Sequence, residues 1–143
     1  MPSPTTDFDD RALVRAVVAS LDDDRITLRL PQTDYQIRLG LDGAASHLGA
    51  EVGQRVRGTI AARALRVHAM AGGGRFIEPV SGEPRIIAGT VLAVDRESGR
   101  VLIDAVVPMW LSTTENQDFD VFVEGGLVTC YVGSGAVFTP AKN

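Results

Sequence analysis

The sequence predicts an all-β protein made of two tandem five-stranded antiparallel barrels, each with at most one short helix. Three observations predict it. Apolar and polar residues alternate over several short segments, a glycine-rich stretch divides the chain into parts of similar length, and the order of segments in the first part recurs in the second. The expected divisions are a disordered leader at 1–10, a first barrel at 11–70, a Gly/Pro linker at 71–84 and a second barrel at 85–140.

The leader carries Asp7, Asp9 and Asp10 and has neither a basic start nor an apolar centre, so it does not read as a secretory signal. No apolar run approaches the ~18 residues of a membrane-crossing helix, and a cytoplasmic protein is expected. The net charge of −4 conceals an uneven distribution: residues 11–70 hold nine arginines against six carboxylates, and residues 71–143 five basic against nine acidic residues. A mildly basic first half beside an acidic second half suits an anionic ligand on the former, or attraction between halves or subunits.

The elements follow in order. Residues 13–21 are rich in β-branched and apolar side chains and end at the polar turn Asp22-Asp23-Asp24. Residues 26–30 and 35–41 alternate strictly and flank Pro31-Gln32-Thr33-Asp34, which reads as a β-hairpin. Asp42-Gly43 ends the third strand, residues 44–49 suit one helical turn, and residues 55–60 and 65–68 supply a fourth and a fifth strand. Gly72-Gly73-Gly74 and the segment between Pro79 and Pro84 then interrupt the pattern.

In the second half Val91 matches Val18, residues 100–103 match 25–28, residues 128–132 match 56–60, and Ala136-Val137 matches Ala64-Leu65. Ser112-Thr113-Thr114-Glu115 has the spacing of a capping box and predicts a helical turn where the first half has 44–49.

A five-stranded barrel with a small helix after its third strand is the order of OB-like folds. The first half also resembles the TOBE and Mop domains, small barrels found in tandem on transporter ATPases and in molybdate-binding proteins. Residues 48–67 carry the likeness: the Leu48-Gly49 step, the glycine turn at Gly53, the alternating strand from Arg55 to Ile60, and the Ala62-Arg63-Ala64 step into the last strand. The molybdate-binding members would imply oxyanion capture with a lysine near the first strand. Here Asp9-Asp10-Arg11 stands at that place and the sole lysine is Lys142.

If the apolar positions of 26–30 and 35–41 face inward, Arg29 and Arg38 face outward, because side chains alternate across a strand. By the same count Arg55 and Arg57 share one face of the fourth strand, and Arg66 and His68 one face of the fifth. Guanidinium forks hold phosphate and carboxylate in bidentate fashion, so Arg29, Arg38, Arg55, Arg57 and Arg66 are the candidate anion- or partner-binding set. Single-stranded nucleic acid is the less favoured ligand: the pI is near 5.1 and the first half offers only Tyr35 for stacking.

No catalytic or metal-ligating signature is present. His47 and His68 stand apart, Ser81, Ser112 and Ser134 have no base nearby in sequence, and the lone Cys130 reads as a packing residue. No cofactor is expected. The apolar run through Pro108-Met109-Trp110 places Met109 and Trp110 either between the barrels or at a subunit contact, with homo-oligomerisation expected from exposed strand edges. The expected function is therefore a non-enzymatic binding or assembly module contacting a protein partner or a small anion, with a nucleic-acid-binding tandem OB protein as the alternative.

Overall fold

Inward-facing apolar residues at every second position build the strands, as in β1 (Val14–Leu21), where Val14, Ala16 and Val18 are buried while Arg15 is exposed. In a computed structural model describing residues 10–70, 72–113 and 119–141, β1 is followed by β2 (Arg25–Arg29), β3 (Gln36–Leu41), the long β4 (Arg55–Met70), β5 (Phe76–Glu78) and β6 (Ser81–Gly82). The rest are β7 (Ile86–Asp95), β8 (Arg100–Ala105), β9 (Val107–Ser112), β10 (Leu127–Val132) and β11 (Val137–Pro140). Short 3-10 turns lie at Asp10–Ala12, Ala45–His47 and Phe119–Val121. Most of the expected leader, and Thr114 and Glu115 of the expected capping box, fall outside the described residues.

The strands join in one mixed sheet of eleven rather than in two separate antiparallel sheets. Its pairings close two five-strand circuits that share β4. One runs β1, β2, β3, β11 and the first part of β4; the other runs the later part of β4, then β10, β7, β8 and β9. The expected fifth strand of the first half, around residues 65–68, is the continuation of β4 and pairs with β10. Its place in the first circuit is taken by β11, antiparallel to β4 and parallel to β3. The exchange is reciprocal, since β4 runs parallel to β9 in the second circuit. The cause is local: no Gly or Pro interrupts residues 59–70, so alternation carries β4 straight across, with Ile60, Ala62 and Ala64 buried.

Strand registers correspond between the circuits. Val14 faces Gly58 and Val17 faces Arg55, as Ile87 faces Cys130 and Thr90 faces Leu127. Val18 faces Leu28 with a bulge following, as Val91 faces Ile103. Ile60 faces Phe138, as Val132 faces Ala64. Phe138 rather than Ala136 thus answers to Ala64, because the turn Gly133-Ser134-Gly135 adds residues between β10 and β11 where β4 has none.

The segment expected as a linker is tied to both circuits. Within it β5 pairs with β7 and β6 with β3, Arg25 Nη1 lies 3.2 Å from Glu83 Oε1, and the Ile77 amide donates to Tyr35 Oη at 3.3 Å. One apolar core spans the two circuits, from Val14, Ile26 and Leu39 to Ile103, Leu111 and Phe138.

At Gly58 the crossing of β4 with β11 leaves no room for a side chain: a Cβ there would meet the Thr139 carbonyl oxygen and lie 2.6 Å from Phe138 Cζ. Gly58→Ala is expected to destabilise the protein by about 1–3 kcal/mol, the usual cost of overpacking. Because the circuits share β4, urea unfolding followed by Trp110 fluorescence in the second circuit should shift to a lower midpoint; an unchanged Trp110 transition would show that the circuits unfold separately.

Candidate functional site

The outward face of the first circuit gathers arginines by strand register. Arg15 on β1 stands directly opposite Arg57 on β4, and Val17, two residues along, stands between Arg29 on β2 and Arg55 on β4. These four arginines line one groove of about 820 Å³, together with Pro31 and Gln32 beyond β2, Leu48 and Ala50 before β4, and Pro140 and Ala141 at the end of β11. The Ala141 amide donates to the Arg57 carbonyl at 2.8 Å and fixes that wall of the groove. The described residues lining the groove include no Asp or Glu.

Ion pairs away from the groove join Arg25 with Glu83, Arg75 with Asp104 and Arg96 with Asp120. Among the described residues, the side chains of Arg15, Arg29 and Arg55 make no hydrogen bond or ion pair. Arg15, Arg29 and Arg55 thus present guanidinium groups to the groove with no partner among the described residues, where an anion would meet them.

Of the arginines expected from the sequence, the groove brings together Arg29, Arg55 and Arg57. Arg38 is exposed on β3 opposite Thr27, outside the groove, and Arg66 lies on the far part of β4 opposite Tyr131, in the second circuit. Arg15 was missing from the expected set. Its signal was in plain view, a polar residue alternating with Val14, Ala16 and Val18.

Met109 and Trp110 do not form an exposed contact surface, being 1 % and 2 % exposed. They lie on β9 between β8 and β4, and Pro108 is tolerated because it precedes the residues that pair with β4. Met109 faces the main core. Trp110 is covered from the other side: it packs with Ala12 and Leu102, beneath the Asp10–Ala12 turn, and the Arg100 guanidinium carbon sits 4.6 Å from its ring centroid.

His47 and His68 are exposed and far apart in the strand order, and no group of three His, Cys, Asp or Glu among the described residues is placed to hold a metal ion. Cys130 is buried on β10 between β4 and β7, and burial pushes its thiol up to about 12. The Asp95 carboxyl is held below its ordinary value by hydrogen bonds from Ser98 in the β7–β8 turn, which is turn chemistry rather than a site. Among the described residues, no helix is long and apolar enough to cross a membrane.

No protein-family model matches the chain, and comparison with curated proteins and with solved structures gave no match.

The raised thiol implies a cysteine without nucleophilic reactivity. Iodoacetamide at pH 8 is expected to leave native Cys130 unmodified over hours and to alkylate it within minutes in urea, read by intact mass. Rapid alkylation of the native protein would contradict the burial described here.

Proposed function

We propose that this protein is a non-enzymatic binding or assembly module, built from two tandem units related to OB-like and TOBE domains, that uses the arginine-lined groove to hold an anionic group of a protein partner or a small anion. The corresponding strand registers support the tandem reading. The observation that carries the functional reading is the groove itself: Arg15, Arg29, Arg55 and Arg57 around one cavity of about 820 Å³ with no carboxylate among its described lining. Guanidinium groups keep their charge at every working pH and present paired donors to phosphate or carboxylate oxygens.

The groove's described lining also lacks any aromatic side chain. Base stacking contributes ~1–3 kcal/mol per base in single-strand binders, so the composition favours a compact anion or an acidic side chain over a nucleic-acid strand. Met109 and Trp110 are buried and offer no subunit contact, so the homo-oligomer expectation rests on exposed strand edges alone.

Titration with inorganic phosphate, followed by calorimetry at low salt, tests the reading. Binding is expected, weakened at least tenfold in an Arg29→Ala, Arg55→Ala double variant and steeply reduced as salt rises. An oligothymidylate that bound more tightly than phosphate would favour the nucleic-acid alternative. Failure of phosphate and of dicarboxylates such as succinate to bind would remove the proposal.

A second check uses Arg15, which lies on the same groove. Arg15→Thr is expected to weaken phosphate binding several-fold in the same titration, and unchanged affinity would remove Arg15 from the site.

A further inference from the structure

The two circuits differ at one corresponding place. In the second circuit, the start of β7 extends beyond the reach of β8, whose pairing with β7 begins at Thr90 opposite Asp104. The free edge so left is filled by β5, with Phe76 opposite Ala88, Ile77 opposite Ile87 and Glu78 opposite Ile86. Ile77 is 1 % exposed and seated in the core. Just before this strand, Arg75 Nη1 meets Asp104 Oδ2 at 2.6 Å.

In the first circuit β1 is in the same situation. Its pairing with β2 begins at Val17 opposite Arg29, and β2 goes no further because Pro31 follows and lacks an amide to donate. Residues 14–16 are paired with β4 on one side only; among the described residues no strand lies along the other. By register Val14 answers to Ile87, Arg15 to Ala88 and Arg29 to Asp104. The carboxylate that receives Arg75 in the second circuit is thus replaced by a guanidinium in the first, and Arg15 and Ala16 of this edge line the groove.

We infer that the open edge of β1 at residues 14–16 takes an extended acidic segment of a partner chain as an added strand, the charge-inverted counterpart of the way β7 takes β5. The inference rests on the anion-binding reading of the groove and names the partner's chemistry. An exposed edge gives affinity through main-chain hydrogen bonds, and alternate side chains give specificity. Here selection falls on charge: a carboxylate placed as Arg75 is in β5's approach meets Arg29, a neutral strand gains no such contact, and a basic strand is repelled by Arg15, Arg29 and Arg55. The segment sought has an acidic residue followed by two apolar ones, the pattern Arg75-Phe76-Ile77 with its charge reversed.

The probe is a fluorescein-labelled peptide, Ser-Glu-Phe-Ile-Ser-Thr with blocked ends, with a lysine-for-glutamate peptide as control. Anisotropy with the full chain is expected to show binding of the acidic peptide at least tenfold tighter than the lysine peptide. Amide hydrogen exchange is expected to slow at Arg15, whose amide points away from β4, while those of Val14 and Ala16 are already paired with β4. Arg29→Glu should reverse the preference between the two peptides, an outcome that simple loss of folding does not produce. Binding without protection of the Arg15 amide, or an Arg29→Glu variant that keeps the original preference, would overturn the inference. If phosphate binds in an arginine-dependent way and the acidic peptide does not, the strand-addition inference fails alone; if neither binds, the anion-binding reading fails with it.

Discussion

The structure depends on one strand being hydrogen-bonded to four others. The 16-residue β4 meets β1 and β9 along one edge and β11 and β10 along the other. Small domains of about 60 residues bury proportionally little apolar surface and are individually marginal. Sharing β4 and exchanging β11 lets one continuous core serve both halves. Gly58 marks the cost of this arrangement, since the backbone there must accept both β1 and the Phe138 ring of β11 at close range.

How much of this was legible depended on how local each feature is. The hairpin of β2 and β3 was plain from alternation alone, because Ile26, Leu28, Ile37 and Leu39 are inward and fully buried while Arg29 and Arg38 face out. Where a strand ends was harder to read. Ala61-Ala62-Arg63-Ala64 looks like a step between two strands, yet nothing in it breaks a strand, and only the position of β10 decides where the later residues pair. Exchange of β11 is a long-range event with no local mark. The burial of Trp110 is of the same kind, because its cover comes from Ala12 and Leu102. Arg15 was readable by alternation, but its placement opposite Arg57 required the β1–β4 register.

Comparison of the two circuits shows how one scaffold carries two surfaces. Corresponding positions hold Arg15 and Ala88, Arg29 and Asp104, Arg55 and Leu127, Arg57 and Thr129. In the second circuit this face is neutral or acidic and its edge is covered by β5; in the first it is cationic and its edge is open. The backbone pairing tolerates either, since sheet register is set by the inward residues and leaves the outward ones free to vary. Differences in chemistry between the halves therefore sit on outward positions, and the shared packing sits on inward ones such as Val14 and Ile87 or Val18 and Val91.

The seat of β11 between β3 and β4 places the last-made strand between two made much earlier. Residues 36–41 leave the ribosome long before 137–140, so the nascent chain waits with β3 and β4 facing a gap where their last neighbour will lie. Contacts of such wide sequence separation form late and slowly. Until then two hydrogen-bonding edges stand open to other newly made chains, so the last strand to be synthesised is also the one that closes them.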